Sequence, residues 1–254
     1  MEFFKTLGEL FINGIVAYFE RDLLMTILCY IITALCAYAL GSLNFAVIIS
    51  KLKYHDDIRN YGSGNAGMTN MLRTYGKADA ALTFAGDMLK TMVSIVIGML
   101  LVGTVGGGNY VAGFFAILGH VYPVYYKFKG GKGVVAAATT ILMLDPRIFL
   151  ILVTVFIVIV AISRYISLGS VICAMLYPLL VYVVNKTAWL GMNGAVGEFL
   201  YVSVIFAFVI GMFVIILHRK NIERLMTGKE SKISLKSKKD KKQKFSVEKS
   251  DKEK

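Results

Sequence analysis

From residue 23 onward, long apolar runs alternate with short polar or glycine-rich segments. A bilayer-crossing helix needs about 20 apolar residues, fewer where flanking side chains snorkel or the helix is buried among others. On that measure residues 23–46, 80–102, 110–126, 133–144, 148–163, 166–184 and 199–217 predict an all-α integral membrane protein with about seven transmembrane helices. The fourth run is short, and a count of five or six that treats it as re-entrant is the competing reading. Ahead of the first run, Phe3, Phe4, Leu7, Leu10, Phe11, Ile15 and Phe19 recur at near-helical spacing. That spacing predicts an amphipathic interfacial extension over residues 1–22. Glu2, Lys5, Glu9, Glu20, Arg21 and Asp22 interrupt the same stretch, which suits a retained segment better than a cleavable signal peptide.

Composition agrees with the pattern. The hydrophobic fraction is 57%, the mean hydropathy +0.66 and the charged fraction 17%, too apolar for an ordinary soluble domain. The formal net charge of +12 comes mainly from the end of the chain. Residues 218–254 carry about 14 Lys and Arg against about 6 acids. The run KISLKSKKDKKQK has no interleaved aromatics and no reading element, so nucleic acid is not expected as a partner. A basic, disordered tail over 234–254 that touches anionic lipid headgroups is the simpler expectation. Cys29, Cys36 and Cys173 lie in apolar runs with neither metal nor redox spacing.

Charge also sets the expected orientation, because short cytoplasmic loops collect Lys and Arg. Lys51, Lys53, Arg59, Arg73 and Lys77 fall in the first loop, Lys127, Lys129 and Lys132 in the third, Arg164 in the fifth, and the basic tail follows the last run. The alternate loops hold little beyond Arg147 and Lys186. Seven spans then place the N-terminus outside and the C-terminus in the cytoplasm. Four polar segments, YGSGNAGMTN, FKGGKG, SRYISLGS and HRKNIERL, all fall on the cytoplasmic side, as a site at the membrane interface would require. The expected organisation is an extension over 1–22, a membrane domain over 23–217, a cytoplasmic motif segment over 218–233 and the tail.

Each polar segment has a chemical and a plain reading. In YGSGNAGMTN the close glycines let backbone N–H groups turn toward one ligand. Ser63, Asn65, Thr69 and Asn70 add donors, and Arg73 adds a bidentate cation suited to phosphate. The plain reading is a flexible loop, since Gly and Asn mark turns. In GHVYPVYYKFKGGKG, Lys132 stands where a helix begins, so an ammonium and free N–H groups can face one anion. Positive-inside anchoring explains the lysines of that segment but not its glycines. His120 is either a base or a histidine satisfied near the interface. Arg164 and Ser170 bracket a break between two apolar runs, and such an arginine often only snorkels. Asp87 and Lys90, three apart, share a helix face and can pair, for function or for structure alone. The four-residue spacing from His218 to Glu223 is treated as coincidence. There is no HExxH, CxxC cluster or GxSxG elbow, so no metal and no cofactor are expected.

Taken in order, GSGNAGMTN, GHVYPVYYKFKGGKG, SRYISLGS and HRKNIERLMTGKE resemble the bacterial acyl-phosphate:glycerol-3-phosphate acyltransferases, the PlsY family, over about residues 38–230. The resemblance implies a seven-span enzyme of the bacterial cytoplasmic membrane with its site at the cytoplasmic interface. It implies acylation of the 1-hydroxyl of glycerol 3-phosphate from a fatty acyl-phosphate, giving lysophosphatidic acid and inorganic phosphate, with the donor supplied by a partner enzyme, PlsX. By position, Ser63, Arg73 and Lys132 match family residues associated with substrate phosphate, and Ser170 and His218 match active-site positions. Asn65, Thr69, Asn70 and Asn221 are carried over as further phosphate-binding residues, with Ser63, Lys132 and His218 as the catalytic set. Where the family usually reads close to GSIPFG, this chain has Gly41, Ser42, Leu43, Asn44, Phe45 and Ala46. Loss of that proline and glycine puts the local helix geometry in question. An acyl-phosphate is an activated mixed anhydride, so the enzyme mainly places two phosphates beside one hydroxyl. The hydroxyl proton then goes to a substrate phosphate or to His218. A transporter of small phosphorylated metabolites is the alternative from another class, although such proteins carry internal repeats and midplane polar sites.

Overall fold

The computed structural model describes residues 2–19, 22–189 and 197–233. Among them every regular element is helical: α1 (Glu2–Asn13), α2 (Leu23–Gly41), α3 (Phe45–Tyr54), α4 (Met68–Thr74), α5 (Lys77–Leu101), α6 (Gly108–Val121), α7 (Val134–Leu144), α8 (Pro146–Ser163), α9 (Ile166–Trp189), α10 (Gly197–Leu217) and α11 (Arg219–Met226). Five stretches are long and apolar enough to cross a membrane: Leu23–Tyr54, Lys77–Leu101, Pro146–Ser163, Ile166–Lys186 and Leu200–Leu217. α6 and α7 match the third and fourth apolar runs but are shorter. At 1.5 Å per residue they extend about 21 and 16 Å, against a hydrocarbon core of about 30 Å. The tail over 234–254 lies outside the described residues.

The first apolar run is not one helix. α2 stops at Gly41 and α3 starts at Phe45, with Asn44 as its N-cap: the Asn44 side-chain oxygen accepts from Val47 N–H at 3.1 Å. An asparagine cap therefore makes the break, because its side chain satisfies a first-turn N–H that the helix itself leaves unpaired. The expected single span over 23–46 is corrected to a helix, a three-residue break and a second helix.

Contacts divide the chain into two compact units. The first contains α1 to α6 and α7 as far as Thr140; the second runs from Ile141 to Ile233. This division cuts across the expected membrane domain of residues 23–217. In the first unit α2, α5 and α6 pack on one another. Small residues allow close approach, with Gly41 facing the backbone of Ala116. The burial pattern is inverted relative to a soluble protein. Leu23, Leu24, Leu35, Leu82 and Leu89 are exposed, whereas Ser42, Asn44, Asp87, Lys90 and His120 are buried. In the second unit α9 packs between α8 and α10, and α11 turns off the end of α10 at His218.

The N-terminal extension is helical only to Asn13, followed by a short 3-10 turn over Ile15–Phe19. It is joined to the end of α5 by backbone. Thr104 N–H donates to Phe11 O and Val105 N–H to Ile12 O, both at 3.1 Å. Gly14 and Gly103 meet there with φ of +72° and +82°, and a Cβ on either would strike the other's backbone. Val16 packs beside Cys29 and Val102.

Candidate active site

In the first unit, YGSGNAGMTN forms a turn that leads into α4. Asn70 shapes it: its side-chain oxygen accepts from Ser63 N–H at 3.0 Å, and its amide donates to Ile58 O at 3.2 Å and Tyr61 O at 2.9 Å. Both amide protons are thereby engaged. Asn70, expected at phosphate, is buried and staples the loop that presents Ser63. Ser63 is exposed, Asn65 and Thr69 are half-buried, and Arg73 sits half-buried in the last turn of α4. Tyr54 and Lys53 bind buried Asp79, each at 2.6 Å, and Tyr75 stacks on Tyr54 at 3.8 Å, fixing the ends of this segment.

The second glycine-rich segment runs back against the end of α6. Gly130 N–H donates to Val121 O and Gly131 N–H to His120 O, both at 3.1 Å. A Cβ on Gly130 would strike His120 O, and one on Gly131 would strike the His120 ring and Ala66 O. This accounts for the glycine pair that charge anchoring left unexplained. Lys132 follows directly, half-buried, two residues before α7 begins.

The two segments are tied to each other. The Arg59 guanidinium donates to Tyr126 O and Lys129 O, both at 2.9 Å, and is held by Asp57 at 2.7 Å. Burial alone would raise the Asp57 carboxyl, but the Arg59 hydrogen bonds and charge hold it below the usual carboxylate range. The Asn44 amide donates to Ala66 O at 3.3 Å, from the helix break into the first segment. Ser63 and Lys132 thus stand on loops joined at Ala66 and Gly131. Neither Arg59 nor Asn44 was singled out as a site residue from sequence. The clue was present, since Asn44 occupies the position of a missing proline.

In the second unit, Ser170 lies buried in α9, its hydroxyl donating to Ile166 O at 3.0 Å. His218 is buried at the junction of α10 and α11, with Nδ1 2.8 Å from Val214 O. A carbonyl only accepts, so Nδ1 carries a proton and the lone pair of the neutral ring is on Nε2. Asn221 donates to Glu230 at 2.8 Å, joined by Ser167 Oγ at 2.8 Å and Arg224 Nε at 2.7 Å. Burial raises the Glu230 carboxyl, but these donors outweigh it and hold Glu230 below the usual glutamate range. Glu230 was quoted within a motif but not assigned a role; nothing in its spacing identifies its three donors. Ile233 N–H then donates to Arg164 O at 2.8 Å, and Lys232 lies over Tyr165. No group of three or more potential metal-ligating side chains occurs among the described residues.

Comparison with known proteins gives one consistent picture. Residues 31–228 match the model of a family described as glycerol-3-phosphate acyltransferase. A glycerol-3-phosphate acyltransferase of Clostridioides difficile is 40% identical over 216 residues, covering 84% of this chain and 99% of that one. One from a Thermoanaerobacter species is 36% identical over 207 residues, covering 82% and 97%. The crystal structure of PlsY, an integral membrane glycerol 3-phosphate acyltransferase, in its glycerol 3-phosphate form superposes with a TM-score of 0.68 at 35% identity, covering 81% of this chain and 96% of that one. Its lysophosphatidic acid form gives 0.66 at 33% identity.

Proposed function

The chain belongs to the glycerol-3-phosphate acyltransferase family, and we propose that it acylates the 1-hydroxyl of glycerol 3-phosphate from a fatty acyl-phosphate at the cytoplasmic face of a bacterial cytoplasmic membrane. The family match removes the main ground for the transporter alternative. The observation that carries the choice of site is the joining of two glycine-rich segments at Ala66 and Gly131, which puts Ser63 and Lys132 on adjoining loops.

The chemistry asks little of the protein beyond placement. The glycerol hydroxyl oxygen attacks the acyl carbon, the bond from that carbon to the phosphate oxygen breaks, and phosphate leaves with the electron pair. Ser63, Arg73 and Lys132 supply the hydroxyl, guanidinium and ammonium donors that hold phosphate and stabilise the departing charge. Asn65 and Thr69 line the same loop. In the second unit, His218, whose Nδ1 faces Val214 O, is the residue assigned to accept the hydroxyl proton where a substrate phosphate does not, and Ser170 and Asn221 are the further residues assigned to phosphate. The acyl group passes directly between substrates, without an acyl-enzyme. A supplier of acyl-phosphate, of the PlsX kind, is the implied partner.

The test is phosphate release by purified protein given palmitoyl-phosphate and glycerol 3-phosphate, with neither metal nor coenzyme A. Release is expected to require both substrates and to yield lysophosphatidic acid. Ser63→Ala and Lys132→Ala are expected to lower kcat/KM by about 100-fold or more, the usual scale for losing a preorganised donor. Release by folded protein that survives both substitutions would remove these loops from the mechanism.

A further inference from the structure

A buried ionic cluster lies under the two loops, and the reaction as described leaves it unused. Lys90 in α5 has two hydrogen-bond acceptors at its Nζ, Leu43 O at 2.6 Å and His120 Nδ1 at 3.0 Å, and Asp87 Oδ1 as an ion-pair neighbour at 2.8 Å. Asp87, Lys90 and His120 are 1%, 4% and 3% exposed, and a desolvated charge pair of this kind depends on the hydrogen bonds around it. Each partner belongs to a different part of the first unit. Leu43 lies in the break between α2 and α3, Asp87 is one turn back on α5, and His120 ends α6.

Lys90 also determines what His120 can do. Because Nδ1 receives the Lys90 proton, a neutral ring carries its own proton on Nε2. That edge faces the contact between the loops: a Cβ placed on Gly131 would meet both His120 Nε2 and Ala66 O. The same Ala66 carbonyl takes the Asn44 amide, and the His120 carbonyl takes Gly131 N–H. Lys90 thus fixes the carbonyl beside Asn44, whose amide holds the carbonyl three residues from Ser63, while the His120 backbone holds the residue next to Lys132. We propose that Asp87, Lys90 and His120 form a buried positioning cluster that holds the two phosphate loops in register, with His120 Nδ1 engaged as the acceptor of Lys90 and so not available as a catalytic base. This rests on the reading of those loops as phosphate seats.

The two ring nitrogens can be separated by substitution, because an asparagine amide oxygen reaches the Nδ1 position whereas a glutamine amide reaches that of Nε2. His120→Asn, which keeps an acceptor for Lys90, is expected to hold the KM for glycerol 3-phosphate within about threefold of wild type. His120→Gln, which leaves Lys90 without that acceptor, is expected to raise it about tenfold or more while kcat changes less. These sizes follow from the loss of a buried hydrogen bond, about 1–3 kcal/mol. Equal KM for both variants would overturn the positioning role, and so would a collapse of kcat in both at unchanged KM, which is the behaviour of a base. A measurement on the unsubstituted protein needs no variant to fold. The chain has 3 histidines, so nitrogen NMR of histidine-labelled full-length protein can read each tautomer. His120 is expected neutral with the proton on Nε2, opposite to His218 with its proton on Nδ1. A protonated Nδ1 on His120, in a neutral ring or an imidazolium, would overturn the proposal. If wild-type protein releases no phosphate while the tautomer is as stated, the assigned reaction fails and the buried arrangement stands.

Discussion

Glu230 shows how much a single residue can decide and how little of that is visible in a sequence. Its three donors, Ser167, Asn221 and Arg224, come from two helices, and its neighbour Ile233 reaches back to Arg164. One carboxylate thus orders the whole segment after His218. Because those donors depress its pKa in the folded state, its contribution is complete above the ordinary glutamate range and is lost as pH falls through the depressed value. Thermal stability of the wild-type protein is therefore expected to fall on acidification below about pH 4.5. Glu230→Gln, which cannot accept from Arg224 in the same way, is expected to cost about 2 kcal/mol at neutral pH and to flatten that acid limb. An unchanged acid limb in the variant would assign the effect to other carboxylates. The chemistry-bearing residue types, Ser63, Arg73, Lys132 and His218, were legible because their side chains announce what they can bind. Their supports were not. Asn70 reads as a donor until its amide is seen to be fully engaged within its own loop, and His120 to Lys90 is a contact across 30 residues of chain.

At the scale of elements, apolar run lengths gave most helices to within a few residues, since burial in lipid imposes a length that a count can recover. They failed at 42–44, where a polar cap breaks a run whose hydropathy is continuous, and at residues 14–19, where amphipathic spacing continues past the end of α1. α1 itself falls ahead of the part of the chain that matches the family model, yet it makes defined backbone contacts with residues 103–105. α5 has 25 residues and so extends about 37 Å. α1 docks at its C-terminal end, while the loop bearing Ser63 and Arg73 adjoins its N-terminal end. That separation makes α1 a brace and not part of the chemistry. Removing residues 2–13, or replacing Gly103 with Val, is expected to leave kcat and KM within about twofold and to lower the thermal midpoint by about 5 °C, the shift for roughly 2 kcal/mol in a chain of this size. Kinetics that collapse while the midpoint holds would mean that the extension acts on the site itself.

For the whole molecule, the short helix α7 decides how often the chain crosses the bilayer. Its 11 residues extend about 16 Å, roughly half of the hydrocarbon core, so length alone favours a re-entrant segment. Charge argues the other way. If α7 did not cross, every later segment would change sides, and Arg164 and residues 218–254, whose 14 Lys and Arg against 6 acids supply 8 of the +12 charge, would lie outside. Translocating so many basic residues opposes the strongest known bias on loop placement, whereas a short helix can span with flanking polar residues and local thinning of the bilayer. Seven crossings with a cytoplasmic tail is the arrangement this balance supports. Three exposed positions test it: Val105, Lys127 and Arg147. In a background with Cys29, Cys36 and Cys173 replaced by Ala, single cysteines at these sites can be probed on intact cells with a membrane-impermeant maleimide. Val105→Cys and Arg147→Cys are expected to react from outside, and Lys127→Cys only after permeabilisation. Arg147→Cys protected together with Lys127→Cys would make α7 re-entrant and reverse every side assigned after it, taking His218 away from the face that bears Ser63 and Lys132 and with it the proposed role in proton transfer.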